Sequence, residues 1–377
     1  MVARVPLVDL AAQEAQVAEE IVREIAAVAR DGRFVLGPRV EAFERWLADA
    51  SGVGHAVGVA SGTDAIELAL RALGVGEGDA VVTPAFSFVA AAEAIASAGA
   101  RPVFCDVDPR TMNADAQTMA AAVDRARGAG LRVRALLPVH LFGRAAPVEA
   151  LRDLSLREGI ALVEDAAQAF GARTAAGAPA GGSGDAGCFS FFPTKNLGAW
   201  GDGGAVVTPH ADVAARVRKL RAHGAVAPYV HAEVGRNSRL DAMQAAVLTV
   251  KARHVEAWQR ARAAWADRYT RAFAHLPLGL PAVPERPAVH AWHAFVVRTP
   301  RRDALAESLH AAGIETRVYY PVPLHRQRAF ARFGQEPDMP VAESLCQTAL
   351  ALPISALPAA AAQELVIERV EAFFAGR

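Results

Sequence analysis

Lys195 closes the run Gly187-Cys188-Phe189-Ser190-Phe191-Phe192-Pro193-Thr194-Lys195, with Asn196-Leu197-Gly198 behind it. An apolar strand feeds a proline turn, and the turn presents a primary amine. The chain holds 37 arginines and three lysines (Lys195, Lys219 and Lys251), so a lysine here is not an interchangeable positive charge. An amine can lose its proton and attack a carbonyl, which a guanidinium cannot do. Asp165 lies thirty residues earlier, in Glu164-Asp165-Ala166-Ala167-Gln168, directly continuing an apolar segment that begins at Ile160. Ligands of open α/β sheets bind outside the carboxyl ends of strands. Asp165 is either a cap that starts a turn or helix or a carboxylate that pairs with a protonated ring nitrogen. Ser61-Gly62-Thr63 supplies a glycine, two hydroxyls and free N–H groups at a helix start. It is either an ordinary N-cap or a phosphate cradle.

Amine, carboxylate and phosphate cradle together point to pyridoxal phosphate. The lysine would hold the aldehyde as a Schiff base and shuttle protons. The carboxylate would keep the pyridine nitrogen protonated, making the ring an electron sink. Phe86 or Phe88, just after a strand ending at Thr83, could stack on the ring. The alternative for Phe88 is a core aromatic.

The elements that must position these groups alternate. Strand-like segments at 55–60, 80–83, 101–106, 133–139, 160–164, 187–191 and 204–208 are apolar on both faces. Helical periodicity intervenes at 64–73, 90–97, 117–127 and 147–157, and resumes at 211–222. Buried strands alternating with helices predict an α/β fold with a mostly parallel, seven-stranded sheet flanked by helices. This large domain is expected over 52–235, preceded by N-terminal helices in 1–51, near 14–30 and 40–50. One long or bent helix over 240–273 and a proline-rich connector make up 236–284. A smaller C-terminal α/β domain covers 285–377, with strands at 290–298 and 314–319, helices at 303–312, 341–350 and 362–374, and completion by the N-terminal helices. There is no G-x-G-x-x-G at the first helix and no Walker A motif, which excludes the common dinucleotide and P-loop readings.

Composition narrows the class further. The chain has 377 residues, 53% hydrophobic and 21% charged, with formal net charge zero. That is an enzyme-like globular profile, with no electrostatic basis for nucleic-acid binding. No run of 18 apolar residues predicts a membrane span, and residues 1–9 lack the pattern of a secretory signal. Cys105, Cys188 and Cys346 are isolated in apolar contexts, as expected for thiols in a reducing, cytoplasmic compartment and not for a metal site.

Several further motifs bring a family into view. They are Gly32-Arg33-Phe34-Val35-Leu36-Gly37-Pro38, Gly58-Val59-Ala60-Ser61-Gly62-Thr63-Asp64-Ala65, Pro84-Ala85-Phe86-Ser87-Phe88-Val89-Ala90 and Pro138-Val139-His140-Leu141-Phe142-Gly143. Gly201-Asp202-Gly203-Gly204-Ala205, Asn237-Ser238-Arg239-Leu240-Asp241 and Tyr320-Pro321-Val322-Pro323-Leu324-His325 follow in order. With the Asp165 and Lys195 runs, the chain resembles the DegT/DnrJ/EryC1/StrS sugar aminotransferases over nearly its whole length. The resemblance implies PLP fold type I, the aspartate aminotransferase-like architecture. It implies Lys195 as the Schiff-base lysine, Asp165 as the ring-nitrogen partner and Gln168 at the ring hydroxyl. It implies Gly62, Thr63 and Ser190 on the phosphate, and Phe88 as the stacking ring. Asn237 would join the phosphate site of a neighbouring subunit, hence a homodimer with shared active sites. Arg239, Tyr320 and His325 would lie near the substrate; for Arg239 and His325 the alternative is a structural ion pair or turn contact. Trp200 would line the sugar site or pack at the dimer interface.

The implied reaction moves an amino group from glutamate or glutamine to a nucleotide-linked keto-sugar. Relatives that dehydrate sugars carry histidine at the lysine position, so Lys195 argues against that branch. Asp202 resembles the branch that aminates C3, since the C4 branch more often has glutamate there. Amination of a cyclitol ketone and a non-catalytic regulatory role are the rival readings.

Overall fold

The computed structural model describes residues 4–334 and 336–376. Three helices open the chain: α1 (Leu10–Ala15), α2 (Ala18–Asp31) and α3 (Pro38–Ser51). The large unit then alternates: β1 (His55–Val59), α4 (Gly62–Ala72), β2 (Asp79–Pro84), α5 (Ala90–Ser97), β3 (Arg101–Cys105), α6 (Ala116–Gly128), β4 (Arg132–Leu136), α7 (Val148–Glu158), β5 (Ala161–Asp165), β6 (Ala186–Ser190), β7 (Gly204–Thr208) and α8 (Ala211–Leu220). The seven strands form one sheet in the order β1-β7-β6-β5-β4-β2-β3. The run from β3 to β6 is parallel, and β7 alone is reversed, antiparallel to both β6 and β1. Every residue of β2 and β7 is buried, because helices cover both faces.

Beyond the large unit come a short hairpin, β8 (Ala225–Ala227) and β9 (Val230–His231), then α9 (Ala242–Ala252) and α10 (Val255–Phe273). The smaller unit pairs β10 (Phe295–Arg298) with β11 (Ala349–Leu352) and carries α11 (Arg302–Ala311), α12 (Pro340–Thr348) and α13 (Ala360–Phe374). Its core joins Tyr269 and Phe273 of α10 to Phe295, Leu350 and Val366.

Four expectations are corrected. The helix expected over 240–273 is two helices, broken at Arg253–His254. The break lets each half serve a different core: Leu248 packs in the large unit, while Trp265 and Tyr269 pack in the small one. The second small-sheet strand is not 314–319. That stretch makes only single bridges, Ile314 to Val5 and Arg317 to Ala351. The strand is Ala349–Leu352, where a helix was expected to run to 350. Its Ala-Leu-Ala-Leu sequence favours helix locally, but all four residues are buried against the small core and tertiary packing prevails. Helices α2 and α3 pack mainly on α9 and β1, and α2 reaches the small unit where Ile21 clusters with Ala356. The expected helix over 14–30 divides into α1 and α2 around Gln16–Val17. Among the described residues, no helix is long and apolar enough to cross a membrane.

Candidate active site

Sheet register brings distant segments to one edge. Val59 of β1 pairs with Gly204 of β7, and Gly204 pairs in turn with Ser190 of β6. Asp165, the last residue of β5, stands opposite Cys188. The turn after β1 therefore meets the end of β6. A Cβ at Gly62 would lie 2.6 Å from the Cβ of Ser190, so only glycine permits this approach. Ser61 is a true N-cap, its Oγ accepting from the Asp64 N–H at 3.1 Å. Gly62 and Thr63 are the first residues of α4, where N–H groups have no intrahelical acceptor. Both readings of Ser61-Gly62-Thr63 thus hold geometrically: a cap for the helix and a row of donors at its mouth.

These groups line one cleft of about 550 Å³, together with Asp165, Gln168, Ser190 and Lys195. Two hollows elsewhere, of about 640 and 950 Å³, are larger but include no lysine. Lys195 is half-buried, on a turn closed by its N–H donating to the Phe192 carbonyl at 2.8 Å. Burial lowers its amine to a pKa of about 8, against the opposing pull of Asp165. Asp165 is 6% exposed, and its Oδ1 accepts from the Ala167 N–H at 3.0 Å. Burial raises its carboxyl, while that N–H and the Lys195 amine hold it down.

Behind Asp165, the neighbouring Glu164 is wholly buried. It accepts the N–H groups of Gly181, Ser183 and Gly184 and the Nε2 of His140 at 2.8 Å. His140 Nδ1 accepts from the Ala146 N–H, so its proton is on Nε2. Gln168 is fixed at both ends. Its Oε1 accepts from the Phe142 N–H at 2.7 Å, and its Nε2 donates to the Tyr320 hydroxyl at 3.0 Å. Burial pushes the Tyr320 phenol well up, so it stays protonated.

Phe86 and Phe88 separate cleanly. Phe86 is 1% exposed in the core, while Phe88 is 54% exposed on the cleft wall beside Tyr320. Asn237 and Arg239 do not line the cleft of their own chain. Asn237 is exposed and Arg239 half-buried, on a segment pinned by Ser238, whose Oγ donates to Asp64 at 2.7 Å. His325, expected near the substrate, is likewise outside this cleft. Its fully buried ring meets Glu343 at 2.9 Å, as a structural pair. Trp200 does not line the cleft either; its indole N–H goes to Glu14 of α1.

A family model, the DegT/DnrJ/EryC1/StrS aminotransferase family, matches residues 15–371. The chain belongs to this family. It is 42% identical to a pleiotropic regulatory protein of Geobacillus stearothermophilus, with 98% of each chain covered. It is 43% identical to a UDP-N-acetyl-3-dehydro-alpha-D-glucosamine 3-aminotransferase of Acidithiobacillus ferrooxidans, covering 93% of this chain and 92% of the relative. The crystal structure of DesV from S. venezuelae, in complex with a ketimine intermediate, superposes with a TM-score of 0.93 at 42% identity and 98% coverage of each. The protein is a PLP-dependent aminotransferase of fold type I.

The residues present fit that cofactor. The α4 start at Gly62 and Thr63, with Ser190 at the end of β6, offers donors for a phosphate. Asp165 presents a buried carboxylate with only one protein hydrogen bond among the described residues. Ser87 also lines the cleft, although its Oγ is sealed from it and has no hydrogen-bond partner among the described residues. When bound, the group supplies an electron sink for the reacting carbon.

Sequence reasoning missed Ser87 and His293, both on the cleft wall. Ser87 stands between Phe86 and Phe88 in a quoted motif, and that neighbourhood could have flagged it. His293 sits in an apolar stretch with no local signal.

Proposed function

We propose that the enzyme transfers an amino group from glutamate or glutamine to a keto carbon of a nucleotide-linked deoxysugar, at C3. The observation that carries this reading is the Lys195 amine, without an ion-pair partner among the described residues, in one cleft with Asp165 and the Gly62–Thr63 helix start. In this reading Lys195 anchors the cofactor and carries the proton to and from the carbon that receives nitrogen. Asp165 keeps the ring nitrogen protonated, Gln168 orients the ring hydroxyl, and Gly62, Thr63 and Ser190 hold the phosphate. Phe88 covers the ring face, and Tyr320, held by Gln168, offers its hydroxyl proton to the substrate. Asn237 and Arg239 serve the cleft of a second copy, making a homodimer with shared sites. Their places outside the cleft of their own chain, on a pinned segment, support that assignment.

The C3 assignment draws on Asp202 at the cleft edge and on the relative named for 3-amination. Identity to a regulatory protein favours the rival, non-catalytic reading; Lys195 and Asp165, both present and brought together, weigh against it. Incubating the enzyme with glutamate or glutamine and a panel of 3-keto and 4-keto nucleotide sugars, then locating nitrogen by NMR, tests the reading. Nitrogen at C3 is expected. Nitrogen at C4, or turnover of a cyclitol ketone alone, would overturn it.

A further inference from the structure

His293 shares the cleft with Lys195, and its surroundings define what its ring can do. Asn196, the residue after the lysine, is buried and donates through Nδ2 to the Ala291 carbonyl at 2.6 Å. A carbonyl only accepts, so the Asn196 amide orientation is fixed and its Oδ1 turns to His293 Nδ1, 3.2 Å away. The proton must then lie on Nδ1. Nε2 is left with its lone pair, without a protein partner among the described residues, and it is not among the sealed, unpartnered atoms.

The backbone around His293 is equally constrained. The Ala291 N–H donates to the Gly143 carbonyl at 2.7 Å, and the Ala294 N–H to the Phe142 carbonyl at 3.3 Å. A Cβ at Gly143 would come within 2.8 Å of the His293 backbone nitrogen, so the two segments of backbone are in close contact. Arg262 of α10 is buried, makes no ion pair among the described residues, and reaches only the Trp292 carbonyl, at 3.5 Å. The charged and titratable groups around His293 are Arg262 from α10, Lys195, Asp165 and Asp202 on the cleft, and the phenols of Tyr319 and Tyr320. Burial, reinforced by the cations Lys195 and Arg262, keeps the imidazole neutral well below its usual range. Lys195 is thus the only lysine or arginine lining the cleft among the described residues.

We propose that His293 is a positioning residue for Lys195: its Nδ1–H holds the Asn196 amide, and through it the turn that aims the amine. The imidazole does this as an uncharged ring, so it fixes the amine without adding a second cation beside it. The inference rests on Lys195 being the cofactor anchor.

The test uses the PLP-loaded enzyme and three substitutions. His293→Leu removes the clamp. Asn196→Leu removes its acceptor. His293→Asn keeps an N–H donor close to the place of Nδ1. Expected for either leucine variant is a fall in kcat for the glutamate half-reaction of about 10–100-fold, the range for a displaced reacting group. KM for glutamate stays within about twofold, because only the aim of the amine changes. The pH midpoint of the visible cofactor band should move by about half a unit or more, since the lysine nitrogen changes environment. His293→Asn should recover kcat to within about threefold of wild type, and the double leucine variant should lose no more than either single one.

An unmoved midpoint and unaltered kcat in His293→Leu, additive losses in the double variant, or failure of asparagine to rescue would each overturn the proposal. If His293→Leu does not fold, Asn196→Leu and His293→Asn still decide it. A wild-type band that survives Lys195→Ala would instead refute the anchor assignment itself, so the two failures are distinguishable.

Discussion

Lys195 and Lys251 are both withdrawn from bulk water, and in both burial lowers the amine below its ordinary value. Their neighbours differ. Lys251, 1% exposed on α9, is met by the Glu14 carboxylate, which also takes the Trp200 indole N–H. Lys195 has Asp165 in the same cleft, but that carboxylate is tied to the Ala167 N–H and makes no ion pair with the amine. A contacting carboxylate secures the charge and makes a lysine structural. A carboxylate held at a remove tempers the desolvation and leaves the amine free to lose its proton. The lesson is that burial alone does not make a lysine reactive; the missing partner does. Lys219 completes the series: its side chain is 30% exposed and pairs with Glu233 at 2.6 Å near the surface.

The sharpest way to break this comparison is to remove each amine in turn. Lys195→Ala should abolish transamination and the visible band formed with pyridoxal phosphate; retained turnover would refute its role. Next in size is pH. With its pKa at about 8, the amine is about 1% free base at pH 6, so stripped enzyme should capture the cofactor about 100-fold more slowly there than above about pH 9. The sign follows from a depressed amine: the reactive form gains as pH rises through that value. Stopped-flow absorbance would read it, and a flat profile would mean that proton loss from Lys195 does not limit capture. Glu14→Ala should leave Lys251 buried without its counter-charge and cost about 3 kcal/mol of unfolding free energy, measured by urea titration, while the visible band persists. Smallest is Lys219→Met, for which a screened pair predicts a loss under about 1 kcal/mol. A larger loss at Lys219 than at Glu14 would invert the ranking by environment.

Much of this is legible in the sequence. The seven strands announced themselves as short apolar runs between helical stretches. Asp165, Lys195 and Gly62 could be named because each sits where a strand ends, and strand ends converge on one edge of such a sheet. What could not be read was decided by packing between distant segments. Ala349–Leu352 looks like helix until the small core buries all four residues. His325 looks available until Glu343 closes on it. His293 becomes meaningful only once Asn196 and Ala291 are seen to fix which ring nitrogen carries the proton.

The reversed strand β7 has a consequence for how this enzyme can change. Parallel neighbours must be joined by a crossover to the opposite edge of the sheet, so most of each connection lies away from the chemistry. Because β7 runs against β6, residues 191–203 begin and end at the same edge. The segment bearing the lysine is therefore a hairpin loop, tethered at both feet a few ångströms apart. Changes of length there would be felt at once by the amine, so this loop can tune substrate preference by single substitutions such as at Asp202, whereas insertions are expected in other loops, whose feet are not shared with Lys195.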